Sequence, residues 1–318
     1  MNGNRASAFA LCGLLVLVLL GLLTAPVHEA GAAGRPARAT GGASTAGVAR
    51  EARLVRVAVA GGGAGATVTL PSGRVYVEHQ PRARPGARPR LRPGQRRTPP
   101  PVRRPLVVAL HGRWNDPAAL AASSGLDAYA DAHGFLLAYG VGVSWSWNAG
   151  SCCGLAAASG VDDVAYLADV VAAVARRHLV DRRRVYVLGF SNGGMMAERA
   201  ACERPEVFAA AGSVAGPLLV DCASPLPVRF VHLHGLDDTT VPYLGGYSAS
   251  AGQELPSSAA LPQLLAGQVP GSVVELVTIV GMSHHWPTRR DDGIDGTATL
   301  WALLSRWSRE QPGAFQTA

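Results

Sequence analysis

At 318 residues, 48% of them hydrophobic and 16% charged, the chain is long enough for one large core and too poor in charge to be disordered throughout. Its formal net charge is +7, and all 29 of its basic residues are arginine. Nine of these fall in a single stretch, PRARPGARPRLRPGQRRTPPPVRR at 81–104; taking them from +7 leaves the rest of the chain at −2, which argues against a basic nucleic-acid-binding surface on the folded body.

Arg5 precedes an apolar run over 6–23, and Ala30-Gly31-Ala32 follows as a small-residue cleavage site. This pattern predicts a secretory signal peptide over 1–32, with an uncleaved membrane anchor as the alternative. Residues 33–66, rich in Ala, Gly, Thr and Arg without sustained periodicity, read as a flexible leader, and the folded domain is expected over 67–318. Val68 and Leu70, then Val75 and Val77, alternate about Pro71-Ser72-Gly73, which predicts a hairpin. The arginine-rich insertion at 81–104 reads as a proline-stiffened loop; a cell wall or membrane face is its alternative role, and it has no aromatic residue to stack a base.

A strand is predicted over 106–110, running into His111-Gly112-Arg113, and another over 135–139. The loop after it holds Trp145, Trp147 and Asn148, candidate walls of a substrate cleft, and then Cys152-Cys153. An amphipathic helix follows to about residue 178, with acids at its start and arginines at its end; Asp162 reads as its cap.

The segment RVYVLGFSNGGMM at 184–196 organises the rest. A short β-branched and aromatic run ends at Gly189-Phe190-Ser191-Asn192-Gly193 and gives way to helix formers. Strand, Gly-x-Ser-x-Gly and helix together form a nucleophile elbow, which predicts an α/β-hydrolase fold: a mostly parallel central sheet flanked by helices. Ser191 is the expected nucleophile. The backbone amides of Arg113 and Asn192 are the expected oxyanion hole, since a tetrahedral intermediate needs two donors on one oxygen.

Further strands over 228–233 and 273–280 lead to Asp237-Asp238 and to His284-His285. Serine, acid and histidine therefore stand in the hydrolase order, each after a strand. A serine hydroxyl needs a neutral imidazole to take its proton, and the imidazole needs a carboxylate to fix its tautomer. Spacing does not separate Asp237 from Asp238, or His284 from His285. Four cysteines remain beyond the leader. Because a bridge between neighbours is geometrically poor, Cys152 and Cys153 are each expected to reach Cys202 or Cys222. No ligand spacing suggests a metal, and no cofactor is expected.

From 105 to 287 the chain resembles the secreted polyhydroxybutyrate depolymerase and feruloyl esterase family of α/β hydrolases, through PLVVALHG, WNAGSCCG, VDDVAYL, DRRRVYVLGFSNGGMMAERAACERPEVFAAAGSVAG, HLHGLDDTTVPY and GMSHHWP. The resemblance implies Asp238 as the acid and His284 as the base, two residues before Trp286, a further candidate substrate wall. It implies a secreted serine carboxylic-ester hydrolase acting on polyhydroxyalkanoate polyester, or on feruloyl or acetyl esters of polysaccharide. The chain departs from the family pattern at Gly281-Met282-Ser283 and in the arginine-rich insertion. A serine peptidase on the same fold, or a non-catalytic cell-wall binding module, are the competing functions.

Overall fold

The computed structural model describes residues 53–55, 65–79 and 101–309. The expected signal peptide over 1–32, much of the expected leader and residues 81–100 of the arginine-rich insertion lie outside them. Strand β1 (Arg53–Val55) pairs antiparallel with β2 (Gly65–Thr69), Arg53 standing opposite Thr69. Both lie within 33–66 in whole or part, so the expected leader is corrected there: ladder hydrogen bonds at the sheet edge give these short segments the partners an isolated chain lacks. The predicted hairpin follows, β2 pairing with β3 (Val75–His79) around Gly73, whose φ of +85° suits glycine.

Strand β4 (Arg104–Leu110) leads to helices α1 (Pro117–Ser124) and α2 (Leu126–His133), then to β5 (Leu136–Gly140) and the single-turn α3 (Gly154–Ala158). Helix α4 (Asp163–Arg177) starts where Asp162 accepts from the Ala165 amide at 2.9 Å, so that residue is the cap the sequence suggested. Next come β6 (Val180–Phe190), α5 (Asn192–Glu203), β7 (Ala210–Val214) and β8 (Arg229–Gly235). A small hairpin, β9 (Gly246–Ser248) with β10 (Gln253–Leu255), precedes a 3-10 turn at Ser258–Ala260 and α6 (Leu261–Gln268). Strand β11 (Val273–Ile279), α7 (Arg289–Asp292) and α8 (Gly296–Leu304) complete the described chain.

The main sheet runs β1-β2-β3-β5-β4-β6-β7-β8-β11, antiparallel as far as β5 and parallel from there to β11. This is the expected mostly parallel sheet. Strands buried on both faces show why: Leu106, Val108 and Leu110 face one core, while Val107 and Ala109 face the other. The first core takes the apolar stripes of α4, α5 and α6; the second takes Leu120, Leu126, Leu300 and Leu304 from α1, α2 and α8. Parallel strands all end at one edge, and there β4, β6, β8 and β11 deliver the site. Among the described residues no helix is long and apolar enough to cross a membrane.

Candidate active site

The elbow is built by close backbone approach. Ser191 has φ +53° and ψ −123°, a conformation that costs an L-residue about 1–3 kcal/mol. A Cβ on Gly189 would collide with the Gly193 carbonyl, and one on Gly193 with the carbonyls of Leu110 and His111. Hydrogen in place of a side chain at both positions lets α5 start directly above β4 and β6 and lifts the Ser191 hydroxyl clear of the sheet.

That hydroxyl donates to His284 Nε2 at 2.9 Å, and His284 Nδ1–H donates to Asp238 Oδ2 at 2.7 Å. The Phe190 ring lies 4.9 Å from the His284 ring and walls its flank. Asp238 is 3% exposed, and its Oδ1 accepts from the amides of Thr240 and Val241 at 2.9 and 2.8 Å. Burial alone would raise its pKa. The hydrogen bonds from His234 and His284, the charge of His284 and the Val241 amide outweigh it and hold the carboxyl well below the usual carboxylate range. Asp237 points to solvent, its amide donating to the Met282 carbonyl, and His285 turns away to Asp292 at 3.0 Å. The geometry therefore joins Ser191, His284 and Asp238 and leaves out both neighbours.

Arg113 and Asn192 line the same cleft as Ser191 and His284, and the backbone amide of neither donates to another protein group among the described residues. Asn192 opens α5, so its amide belongs to the unpaired, partly positive first turn of a helix. Two buried side chains hold this arrangement, and sequence reasoning passed over both roles. His111 Nδ1–H donates to the Gly112 carbonyl at 2.8 Å while its Nε2 accepts from the Gly142 amide at 3.1 Å, which fixes one neutral tautomer. Burial pushes its pKa down and favours the same form. The Asn192 carboxamide pairs with both the amide and the carbonyl of Trp147, at 2.8 and 3.0 Å.

The expected substrate walls are corrected. Trp147 is wholly buried, its indole N–H donating to the His111 carbonyl at 2.8 Å, and Trp286 is 4% exposed with its N–H on Thr297 at 3.1 Å. Each indole finds its polar partner inside the protein, so neither lines the cleft. Asn148 is tied to Val161, Asp163 and Arg199. Trp145 is 50% exposed but borders a separate apolar cavity of about 470 Å³ that Ser191 does not reach. The cleft at Ser191 is smaller, about 140 Å³, with Gly112, Trp114, Phe190, Met195 and Val241 among its walls. Trp114, which no motif singles out, stands 70% exposed at its rim under the Arg113 guanidinium, 4.2 Å away.

The disulfide expectation is also corrected. Cys152 bonds Cys153, and Cys202 bonds Cys222 across 5.3 Å between Cα atoms. The peptide between Cys152 and Cys153 is cis, and their Cα atoms lie 3.1 Å apart. Among the described residues, no group of three His, Cys, Asp or Glu side chains is placed to hold a metal ion.

Residues 97–235, a little under half of the chain, match the family model described as Esterase PHB depolymerase. NocK of Nocardia uniformis subsp. tsuyamanensis, whose name gives esterase as a provisional description, is 38% identical over 156 residues, 48% of this chain and 45% of that protein. Feruloyl esterase B of Piromyces equi is 34% identical over 109 residues, 32% of this chain and 19% of that protein. The chain thus spans less than half the length of either relative. A solved thermostable esterase superposes with a TM-score of 0.52 at 20% identity, covering 77% of this chain and 63% of that one, a likeness of fold alone. The fold and the family resemblance drawn from the motifs both stand.

Proposed function

We propose that this chain, an α/β-hydrolase esterase of the polyhydroxybutyrate depolymerase and feruloyl esterase type, cleaves carboxylic esters through an acyl-enzyme formed on Ser191. The observation that carries the reading is the unbroken line from the Ser191 hydroxyl through His284 to Asp238, beside two unpaired backbone amides. His284 Nε2 takes the hydroxyl proton as Ser191 Oγ attacks the ester carbonyl, while Asp238 holds the imidazole tautomer and stabilises the imidazolium. The amides of Arg113 and Asn192 receive the oxyanion; one such donor is typically worth ~3 kcal/mol in the transition state. The imidazolium then protonates the departing alcohol. Water, activated by the same imidazole, releases the acid and restores Ser191.

The family description and the feruloyl esterase relative support two ester classes, polyhydroxybutyrate-type polyester and feruloyl esters. The cleft of about 140 Å³ favours a compact group beside Ser191, with the rest of the ester lying outward over Trp114. The apolar run at 6–23 and its cleavage site support export of the mature protein.

The test is fluorophosphonate labelling of folded protein with the modified peptide located by mass spectrometry, followed by turnover of matched ester and amide substrates. Attachment at Ser191 that is lost on prior denaturation, with the ester cleaved and the amide not, is the expected result. Folded protein that takes no label at Ser191 would overturn the proposal, and preferential amide cleavage would turn it towards a peptidase.

A further inference from the structure

Behind Asp238 lies a second set of buried titratable groups that the ester mechanism does not use. His232 and His234 stand two residues apart on β8, on one face of that strand, and both are 0% exposed. Glu198, also 0% exposed, comes from α5, two turns beyond Ser191. His232 Nδ1 meets Glu198 Oε1 at 2.7 Å, and His232 Nε2 meets His234 Nδ1 at 3.2 Å. His234 Nε2 lies 2.8 Å from the Val241 carbonyl and 3.3 Å from Asp238 Oδ2, the oxygen that also receives His284. Ser258 closes the set, its hydroxyl 2.9 Å from His234 Nδ1.

The proton positions follow from these contacts. A carbonyl only accepts, so His234 Nε2 carries a hydrogen and shares it between Val241 and Asp238. Between His232 Nε2 and His234 Nδ1, both fully buried, two lone pairs would repel, so one of those nitrogens carries a hydrogen as well. The 2.7 Å contact between His232 Nδ1 and Glu198 Oε1 needs a third hydrogen, since two acceptors would otherwise face each other, so Glu198, His232 and His234 together keep one proton more than a carboxylate and two neutral imidazoles would. Glu198 Oε2 has no hydrogen-bond partner among the described residues, which makes an ionised carboxylate costly there. Burial pushes the Glu198 carboxyl up, and His232 and His234 pull it back only in part.

We infer that Glu198, His232 and His234 are positioning residues: a directional line of N–H donors, begun by the proton held at Glu198, that delivers a second imidazole N–H to Asp238 and so fixes the carboxylate that orients His284. The inference rests on the triad reading above. Its effect belongs to the chemical step, because none of the three groups lines the cleft.

Glu198→Gln keeps the line, since an amide N–H can donate to His232 Nδ1 as the protonated acid does; Glu198→Leu cannot. With p-nitrophenyl acetate, Glu198→Leu should lower kcat by roughly 10- to 100-fold with little change in KM, the range common for groups that orient a reacting residue from behind, and Glu198→Gln should restore most of it. Nitrogen-15 NMR of the histidines in unaltered protein gives a readout independent of turnover and of whether Glu198→Leu folds. At pH 7 it should show His234 carrying hydrogen on Nε2 and a hydrogen between the two rings. A bare His234 Nε2, or a folded Glu198→Leu variant with unaltered kcat, would overturn the inference. Unaltered protein that shows the NMR pattern yet neither labels nor turns over would instead refute the esterase reading and leave the proton line standing.

Discussion

Asp238 and Asp237 differ by one position and by everything around them. The Asp238 carboxylate meets two backbone amides and two imidazoles in a buried site, and these keep it ionised where ordinary carboxylates take up protons. Asp238→Asn leaves the volume intact but stabilises the wrong His284 tautomer, so kcat should fall roughly 10⁴-fold while Asp237→Asn stays close to the unaltered protein. Steady-state kinetics on a soluble ester decides between them, and loss in Asp237→Asn alone would move the acid by one position. Order and strand position brought the sequence to this pair, and only the family resemblance chose within it. Consecutive residues of a turn point in different directions, and the feature that separates them is the acceptance of the Thr240 and Val241 amides by Asp238 Oδ1. Similarly, His284 and His285 part because Asp292, on the short helix α7, captures the second.

At the scale of the element, the strand-turn-helix about Ser191 was legible because its constraints are local. A buried β-branched run, glycines at both contact points and a helix following at once leave little else for the segment to form. The loop from 144 to 154 was not, because an indole has the same composition whether it lines a cleft or packs beneath one. Which of the two holds is decided by distant partners: the carbonyl of His111 for Trp147 in this loop and, after β11, Thr297 for Trp286. Helices α1, α2 and α8 were likewise not drawn from periodicity; the first two are eight residues each, too short for a repeating stripe. The glycines give this scale its prediction. Gly193→Ala drives a methyl into the carbonyls of Leu110 and His111, which no rotamer can relieve, so the variant should lose Ser191 labelling and melt at lower temperature. Gly267, exposed in α6 with no heavy atom within 4 Å of a built Cβ, is the control. There Gly→Ala removes freedom from the unfolded chain and should stabilise by about 0.5–1 kcal/mol, or raise Tm by about 1–4 °C. Calorimetry of the two variants should move in opposite directions, and matching shifts would mean that the elbow tolerates a side chain.

For the whole molecule, composition sets the response to alkali. The chain has seven tyrosines and no lysine, so proton release above pH 9 comes mainly from phenols, arginine staying charged. Four of those phenols are buried donors: Tyr76 donates to Glu78 on its own strand, while three tie separate parts of the chain, Tyr139 to Asp127, Tyr166 to the Val75 carbonyl and Tyr186 to the Trp307 carbonyl. Burial pushes Tyr166 and Tyr186 up to about 12, and pushes Tyr76 and Tyr139 up further, nearby carboxylates adding to the rise. Below pH ~10 the phenols keep their protons whether the chain is folded or not, and their stabilising contribution is fully present. As pH rises from there, the unfolded chain ionises first. Each buried tyrosine then withdraws about 1.4 kcal/mol of stability per pH unit until its folded value is reached. Four doing so together over two units is of the order of the ~5–15 kcal/mol that holds a domain folded. The protein should therefore unfold cooperatively between pH 10 and 12, with tyrosinate absorbance at 295 nm rising in one step as the near-ultraviolet circular dichroism collapses. A smooth titration of all the tyrosines with the dichroism intact would show that these hydroxyls do not lock the fold.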